Sequence, residues 1–326
     1  MTSFETKTFA TAGGLALTLD LHAPPLKVTK ESIAFVHFHG GFFVLGGKQT
    51  FSPTWLTTAC ARRGWTYITP AYRLLPPEAS GRDMIADAVS AINWVADNVS
   101  SRIVLAGSSA GGFLAFAAAA QLRNIRPLAV LSVYGINDLT SDEYTQGTSI
   151  MGAPPLSNLD ELIEELHAAR ASGASICEYE FPEDLADKRM QWISAIHEAG
   201  LYPELMTGLK GISSKIAAEG VGSVPDEYRT FFPLDFFLGH NFPPTVLLHG
   251  DADSCVSVEQ SKRAYEKLTE SGVKAHLELV PGKDHGFDAM EVSVDTDHEN
   301  PAEESPLFAH LRAVLDFIDQ TVKKHN

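Results

Sequence analysis

The run Gly107-Ser108-Ser109-Ala110-Gly111-Gly112 fits G-x-S-x-G with Ser109 at its centre. A serine on a tight strand-to-helix turn must take strained backbone angles, and glycines two residues to either side keep side chains away from it. The helix that follows aims its free amides and the positive end of its dipole at the same spot, where they favour a developing oxyanion. The chemistry is nucleophilic attack by the Ser109 hydroxyl on an acyl carbon. Ser108 does not fit, because no glycine stands two residues before it. A glycine–serine turn that merely caps a helix is the competing reading; the strand predicted before it and the helix predicted after it favour the nucleophile.

Such a serine needs an oxyanion site, a base and an acid. His39-Gly40-Gly41-Phe42-Phe43 follows an apolar run, and Gly40 and Gly41 let backbone N–H groups turn toward a ligand. The expected donors are Gly41, Phe42 and Ala110, with Gly40 shaping the same loop and His39 bracing it. His37, on the same strand face, reads as a packed histidine. Gly250-Asp251-Ala252-Asp253 and Gly282-Lys283-Asp284-His285-Gly286-Phe287 each follow a predicted strand, at the carboxyl end where open α/β sheets bind ligands. Histidine can take the serine proton, and a carboxylate can fix its tautomer and stabilise the imidazolium. His285 is the histidine placed just after the last core strand. Either Asp251 or Asp253 can orient it, and Asp284 reads as a turn residue.

Elements of the right kind surround these runs. Strands are predicted at Leu15–Leu21, Ile33–His39, Trp65–Thr69, Ile103–Ala106, Leu128–Val133, Thr245–His249 and Ala275–Val280. Several are continuous apolar runs, as in strands covered on both faces. Helices are predicted at Asp83–Val95, where Ile85, Val89, Ile92 and Val95 make one stripe, and at Ala110–Leu122, Val258–Thr269 and Leu307–Val322. Alternation of strand and helix implies a parallel sheet with helices on both faces. Between 137 and 240 the alternation stops; only helices are expected there, at Leu159–Arg170 and Leu185–His197. The expected organisation is an α/β core of residues 1–136 and 241–326 with a helical cap, 137–240, inserted after the sixth strand.

The chain has 326 residues, 25 Lys+Arg against 41 Asp+Glu, and a net charge of −16. That charge repels phosphate backbones and argues against nucleic acid as a partner. With 44% hydrophobic and 20% charged residues it has a globular composition. The uncharged stretch from Ile103 to Leu122 is long enough to span a bilayer, but its glycines and serines fit strand, turn and buried helix better. Glu5 stands where a signal peptide would be basic, and the final KKHN is no retention signal. Cys60, Cys177 and Cys255 are odd in number and far apart, which predicts a reducing, cytoplasmic setting. Asp295-Thr296-Asp297-His298-Glu299 lacks metal-ligand spacing, so no metal is expected. No phosphate-binding loop is present, so no organic cofactor is expected either.

Taken together these residues resemble the α/β-hydrolase superfamily, and within it the hormone-sensitive-lipase-like (fold-3) branch. The resemblance rests on His39-Gly40-Gly41, Tyr72-Arg73-Leu74 with Pro77-Glu78, Gly107–Gly112, His249–Asp253 and His285-Gly286-Phe287. It implies a mostly parallel eight-stranded sheet and a Ser–Asp–His triad. In that family the acid lies four residues after the histidine of H-G-x-x-D, which selects Asp253. The implied triad is therefore Ser109, Asp253 and His285, with the oxyanion held by amides of Gly41, Phe42 and Ala110. This chain departs from the family in having Phe42 where a third glycine is common, and Ser108 where Asp is common. Phe42 keeps its N–H but narrows the pocket, and Ser108 removes a charge.

The implied activity is hydrolysis of a carboxylic ester, lactone or related amide of a small, largely apolar molecule through an acyl-enzyme. Met190, Trp192, Tyr202, Leu205, Met206 and the run Phe231–Phe237 are expected to pack the cap onto the core, with some lining an apolar pocket. Two alternatives use the same residues. One is acyl transfer or cyclisation in specialised metabolism, in which the cap excludes water. The other is a ligand receptor on the same fold without turnover.

Overall fold

A computed structural model describes residues 4–25, 28–29, 31–76, 80–172, 174–184, 186–239, 241–290, 295–297 and 306–324. Its centre is an eight-stranded sheet of order β1-β2-β4-β3-β5-β6-β7-β8. The strands are β1 (Glu5–Ala12), β2 (Leu15–His22), β3 (Ala34–Phe38), β4 (Thr66–Pro70), β5 (Ile103–Ser108), β6 (Ala129–Val133), β7 (Thr245–Gly250) and β8 (Ala275–Val280). β1 and β2 are antiparallel, β2 runs antiparallel to β4, and every later pair is parallel.

The helices in chain order are α1 (Thr54–Arg63), α2 (Gly81–Asn98), α3 (Ala110–Gln121), α4 (Asp142–Thr145), α5 (Leu159–Ser172), α6 (Lys188–Glu198), α7 (Tyr202–Thr207), α8 (Ile212–Glu219), α9 (Pro233–Phe236), α10 (Glu259–Glu270), α11 (Phe287–Met290) and α12 (Phe308–Lys323). Period-two alternation in the strands splits the core. Phe35, Val104, Ala106, Leu131, Val246 and Leu248 face α1 and α12 and pack with Trp55, Leu311 and Leu315. Val36, Phe38, Leu105, Val130 and Leu247 face α2, α3 and α10. Each large apolar side chain so covered stabilises the fold by roughly 1.5–3 kcal/mol. The uncharged stretch is β5 plus α3, and no helix among the described residues is long and apolar enough to cross a membrane.

Two elements lie outside the sequence-based expectation. β1 is a half-solvated edge strand with little apolar signal, and α1 buries only Trp55, Leu56, Ala59 and Cys60. The cap helix predicted from Leu185 begins at Lys188, where the Asp187 carboxylate caps the amides of Arg189 and Met190. Among the described residues, the segment between β6 and β7 adds no strand to the sheet; α4 to α9 lie there.

Candidate active site

Ser109 sits between β5 and α3 with φ +55° and ψ −122°, angles that cost a non-glycine residue about 1–3 kcal/mol. Its neighbours fix it there. The Ser109 amide donates to Val133 O at 2.9 Å, and its carbonyl accepts from Ile136 N at 3.0 Å. The flanking glycines are required by close approach: a Cβ on Gly107 would lie 1.9 Å from Gly111 O, and one on Gly111 2.1 Å from Phe38 O. Ser109 is 4% exposed and its Oγ is buried with no hydrogen-bond partner among the described residues. Ser108, one residue earlier, is tied to His37 Nε2 at 2.9 Å, and His37 Nδ1 to the Tyr67 hydroxyl at 2.6 Å. Burial pushes His37 down to about 3, so it stands there as a neutral packed ring.

The loop after β3 lies against the serine. Gly40 touches it so closely that a Cβ would stand 3.0 Å from Ser109 Cβ. Gly41 has φ +109°, and Phe42 and Phe43 follow at +53° and +66°. The Gly41 carbonyl closes the turn by accepting from Val44 N and Leu45 N, both at 2.9 Å. The amides of Gly41, Phe42 and Ala110 donate to no other group among the described residues. They are free to bind an oxyanion. His39 braces the loop: Nδ1–H donates to Gly40 O at 2.7 Å, and Tyr72 stacks on the ring at 4.3 Å while donating to His39 O at 2.8 Å. Arg73, beside it, makes a two-point ion pair with Asp87 of α2, which anchors the segment after β4.

Asp253 and His285 meet across the loops after β7 and β8. His285 Nδ1–H donates to Asp253 Oδ2 at 2.8 Å. The Asp253 side chain is fully buried, and burial alone would raise its pKa; hydrogen bonds from His249 and His285 outweigh that and hold the carboxyl well below the usual carboxylate range. The amides of Cys255 (2.9 Å) and Val256 (2.8 Å) donate to its other oxygen. His249 Nε2 faces both Asp253 Oδ2 at 3.2 Å and Val256 O at 3.0 Å, so it carries the proton there. Asp251 is elsewhere, accepting from Gly282 N at 2.6 Å, and Asp284 ties Ser254 and the His285 amide. With Nδ1 protonated and donating, His285 keeps a basic lone pair on Nε2.

Comparison with known proteins bears on the fold that carries these residues. A family model described as "alpha/beta hydrolase fold" matches residues 35–172, and one for the prolyl oligopeptidase family matches 191–303. The fold matches an alpha/beta hydrolase superfamily protein from Enterococcus faecalis (TM-score 0.65, 18% identity, 99% of this chain and 100% of that one). It also matches the Thermogutta terrifontis esterase Est2 (TM-score 0.56, 19% identity, 99% and 92%). The chain has the α/β-hydrolase fold. Among curated relatives it is 26% identical, over 88% of its length, to 5-methylorsellinic acid synthase of Aspergillus terreus. It spans only 12% of that protein. Lipase 2 of a Moraxella species is 32% identical over 40% of this chain and 31% of that protein.

In this fold the segment between β6 and β7 presses on the loop after β3. The Phe42 ring meets His197 edge-on at 5.1 Å, and His197 Nδ1 is 2.9 Å from the Tyr202 hydroxyl. Tyr202, Leu205, Met206, Phe231, Phe232 and Leu234 are buried in packing, whereas Phe237 is 36% exposed. Arg189, only 8% exposed, donates to Val44 O, Leu75 O and Pro76 O. Neither Arg189 nor Tyr134, whose ring lies 4.5 Å from that of His285, was singled out from sequence. An arginine in an ordinary helix and a tyrosine at a strand end carry no local signal of such contacts. Pro77-Glu78 and His298 lie outside the described residues. Among those described, no group of three or more His, Cys, Asp or Glu is arranged to hold a metal ion.

Proposed function

We propose that this chain is a serine hydrolase that cleaves a carboxylic ester, lactone or related amide of a small, largely apolar substrate. The observation that carries the reading is the Asp253–His285 hydrogen bond on the loops after β7 and β8, in a sheet whose β5 ends at strained Ser109. Ser109 Oγ attacks the acyl carbon while its proton passes to His285 Nε2. Asp253 holds the imidazolium, and the amides of Gly41, Phe42 and Ala110 take the oxyanion. His285 returns the proton to the leaving group, and water repeats the cycle on the acyl-enzyme. Residues 137–240 form the cap, and its apolar side chains favour an uncharged acyl group. The reading draws support from the similar esterase from Thermogutta terrifontis, a structure of which is described as phosphoramylated by tabun. The unpaired Cys60, Cys177 and Cys255 support a reducing, cytoplasmic setting.

Intact-mass measurement after fluorophosphonate treatment tests this. One adduct on wild type and none on Ser109→Ala is expected, followed by turnover of short-chain aryl esters. No adduct on a folded wild type would remove the reading in favour of a receptor without turnover.

A second reading follows from the relatives named as polyketide synthases, matched over most of this chain. An acyl-enzyme can pass its acyl group to a hydroxyl or carbon nucleophile instead of water. Mass spectrometry of products separates the two readings. Free acid alone with every acceptor supplied excludes transfer.

A further inference from the structure

Near His285, three elements converge on one buried carboxyl. Asp288 lies in α11, three residues after His285, and is 4% exposed. Its Oδ1 accepts the Tyr134 hydroxyl at 2.5 Å and its Oδ2 accepts Trp55 Nε1–H at 2.9 Å. Tyr134 leaves the end of β6 with φ +37°, an unfavourable angle for a bulky residue, and its amide is held by Leu248 O at 2.7 Å. The result is a tyrosine ring fixed at both ends, its centroid 4.5 Å from that of His285 and the planes tilted by 54°. The Ser109–His285–Asp253 cycle makes no use of this arrangement, and strain at a non-glycine residue persists only where the surroundings hold it.

We propose that Tyr134, tethered by Asp288 and Trp55, is a positioning residue for His285 that sets the imidazole plane and favours its cationic form. This rests on His285 being the general base. A cation within about 6 Å of an aromatic centroid is attracted to the ring's electron-rich face, more so away from water. His285 becomes a cation each time it takes a proton from Ser109 or from water, and the Tyr134 ring is already in place when it does. Other groups also face it. Asp253 lies on one side with Glu143 of α4 beyond it; Lys283 and Asp284 precede it on its own loop; Asp288 stands behind the phenol. Among the described residues Tyr134 is the aromatic ring paired with His285, so its contribution is separable by substitution.

The test is a pH profile of kcat/KM, with a proton NMR titration of the His285 ring assigned by its loss in His285→Ala. Removing a group that favours the cation lowers the pH of half-protonation. Tyr134→Leu is expected to move the acid limb and the NMR midpoint down by about half to one pH unit, with kcat about tenfold lower and KM within about twofold. Tyr134→Phe keeps the ring and is expected to restore most of kcat, with a smaller shift in the same direction. Should Tyr134→Leu not fold, Tyr134→Phe and Trp55→Phe supply the same readout through loss of the tether. Wild-type midpoints in all folded variants overturn the proposal, as does a rise in KM equal to the fall in activity. His285→Ala is the control on the underlying reading: if it keeps full activity, His285 is not the base and that reading fails first.

Discussion

Arg189 of α6 donates through Nη1 to the carbonyl of Val44 at 2.6 Å, so α6 grips the turn that begins at Gly41 and Phe42. The same guanidinium reaches Leu75 O at 2.9 Å and Pro76 O at 2.9 Å and lies over the Tyr179 ring at 4.9 Å. One buried cation thus ties together the two core loops that flank Ser109's neighbours. Arg189→Ala leaves those carbonyls without a partner, each worth about 1–3 kcal/mol when buried. The expected outcome is a loss of roughly 2–4 kcal/mol of stability and a fall in kcat at temperatures where the protein stays folded. Lys, with a single point of charge in place of a fork, is expected to restore less than half. Thermal unfolding and steady-state kinetics on the three proteins check both.

Ser109 carries its strain whatever its side chain does. Ser109→Ala removes the proposed nucleophile but keeps the unfavourable angles, whereas Ser109→Gly removes both. Activity is expected to fall by about 10³-fold or more in each. The glycine variant should unfold at a higher temperature than the alanine variant, by the equivalent of about 1 kcal/mol. Equal melting temperatures would mean that the turn at 109 is relaxed.

Asp253 is held below its ordinary range by His249, His285 and two amides. A depressed carboxylate stabilises the fold fully above its unfolded value of about 3.9, and that stability is lost as pH falls through the folded value. Asp253→Asn removes the charge proposed to balance the imidazolium and is expected to lower kcat by about 10²–10⁴-fold. Its unfolding free energy should also lose the steepest part of its acid dependence below about pH 4. Urea titrations between pH 5 and 3 measure that slope.

His197 of α6, 1% exposed, is pushed by burial down to about 4. A histidine whose folded value lies below its unfolded one opposes folding as pH drops: the unfolded chain takes up a proton near 6.5 that the folded chain refuses until about 4. Stability therefore falls on acidification through that window, by roughly 2 kcal/mol at pH 5 from this residue. His197→Gln is expected to be less stable at pH 7 but flatter between pH 7 and 5. Parallel slopes for the two proteins in thermal unfolding would contradict the assignment.

Much of the sheet is legible along the chain because the inner strands are buried on both faces and read as apolar runs; Ile103, Val104 and Leu105 are all fully buried. β1 escapes notice because its residues alternate weakly and half of them face water; only the Gly13-Gly14 pair before β2, a favoured two-residue hairpin turn, marks it. The serine turn and the glycine loop are legible for a local reason. Gly107, Gly111 and Gly41 stand where backbone comes within about van der Waals distance of backbone, a demand that glycine alone meets.

By itself, then, the sequence determined the alternation of strand and helix, the place of Ser109 at a strand end, and the short list of acids and bases, because those depend on neighbours within a few residues. Between Asp251 and Asp253, two positions apart, residue types and periodicity left the acid open and only the family resemblance pointed to Asp253; the tertiary structure brings Asp253, not Asp251, against His285. It also decided that Arg189 would hold the loop beside Phe42 and that Tyr134 would lie against His285, reaching across 145 and about 150 positions of chain. Contacts at such separation are set by how the sheet brings loop ends together, and a residue's own neighbours in sequence carry no trace of them.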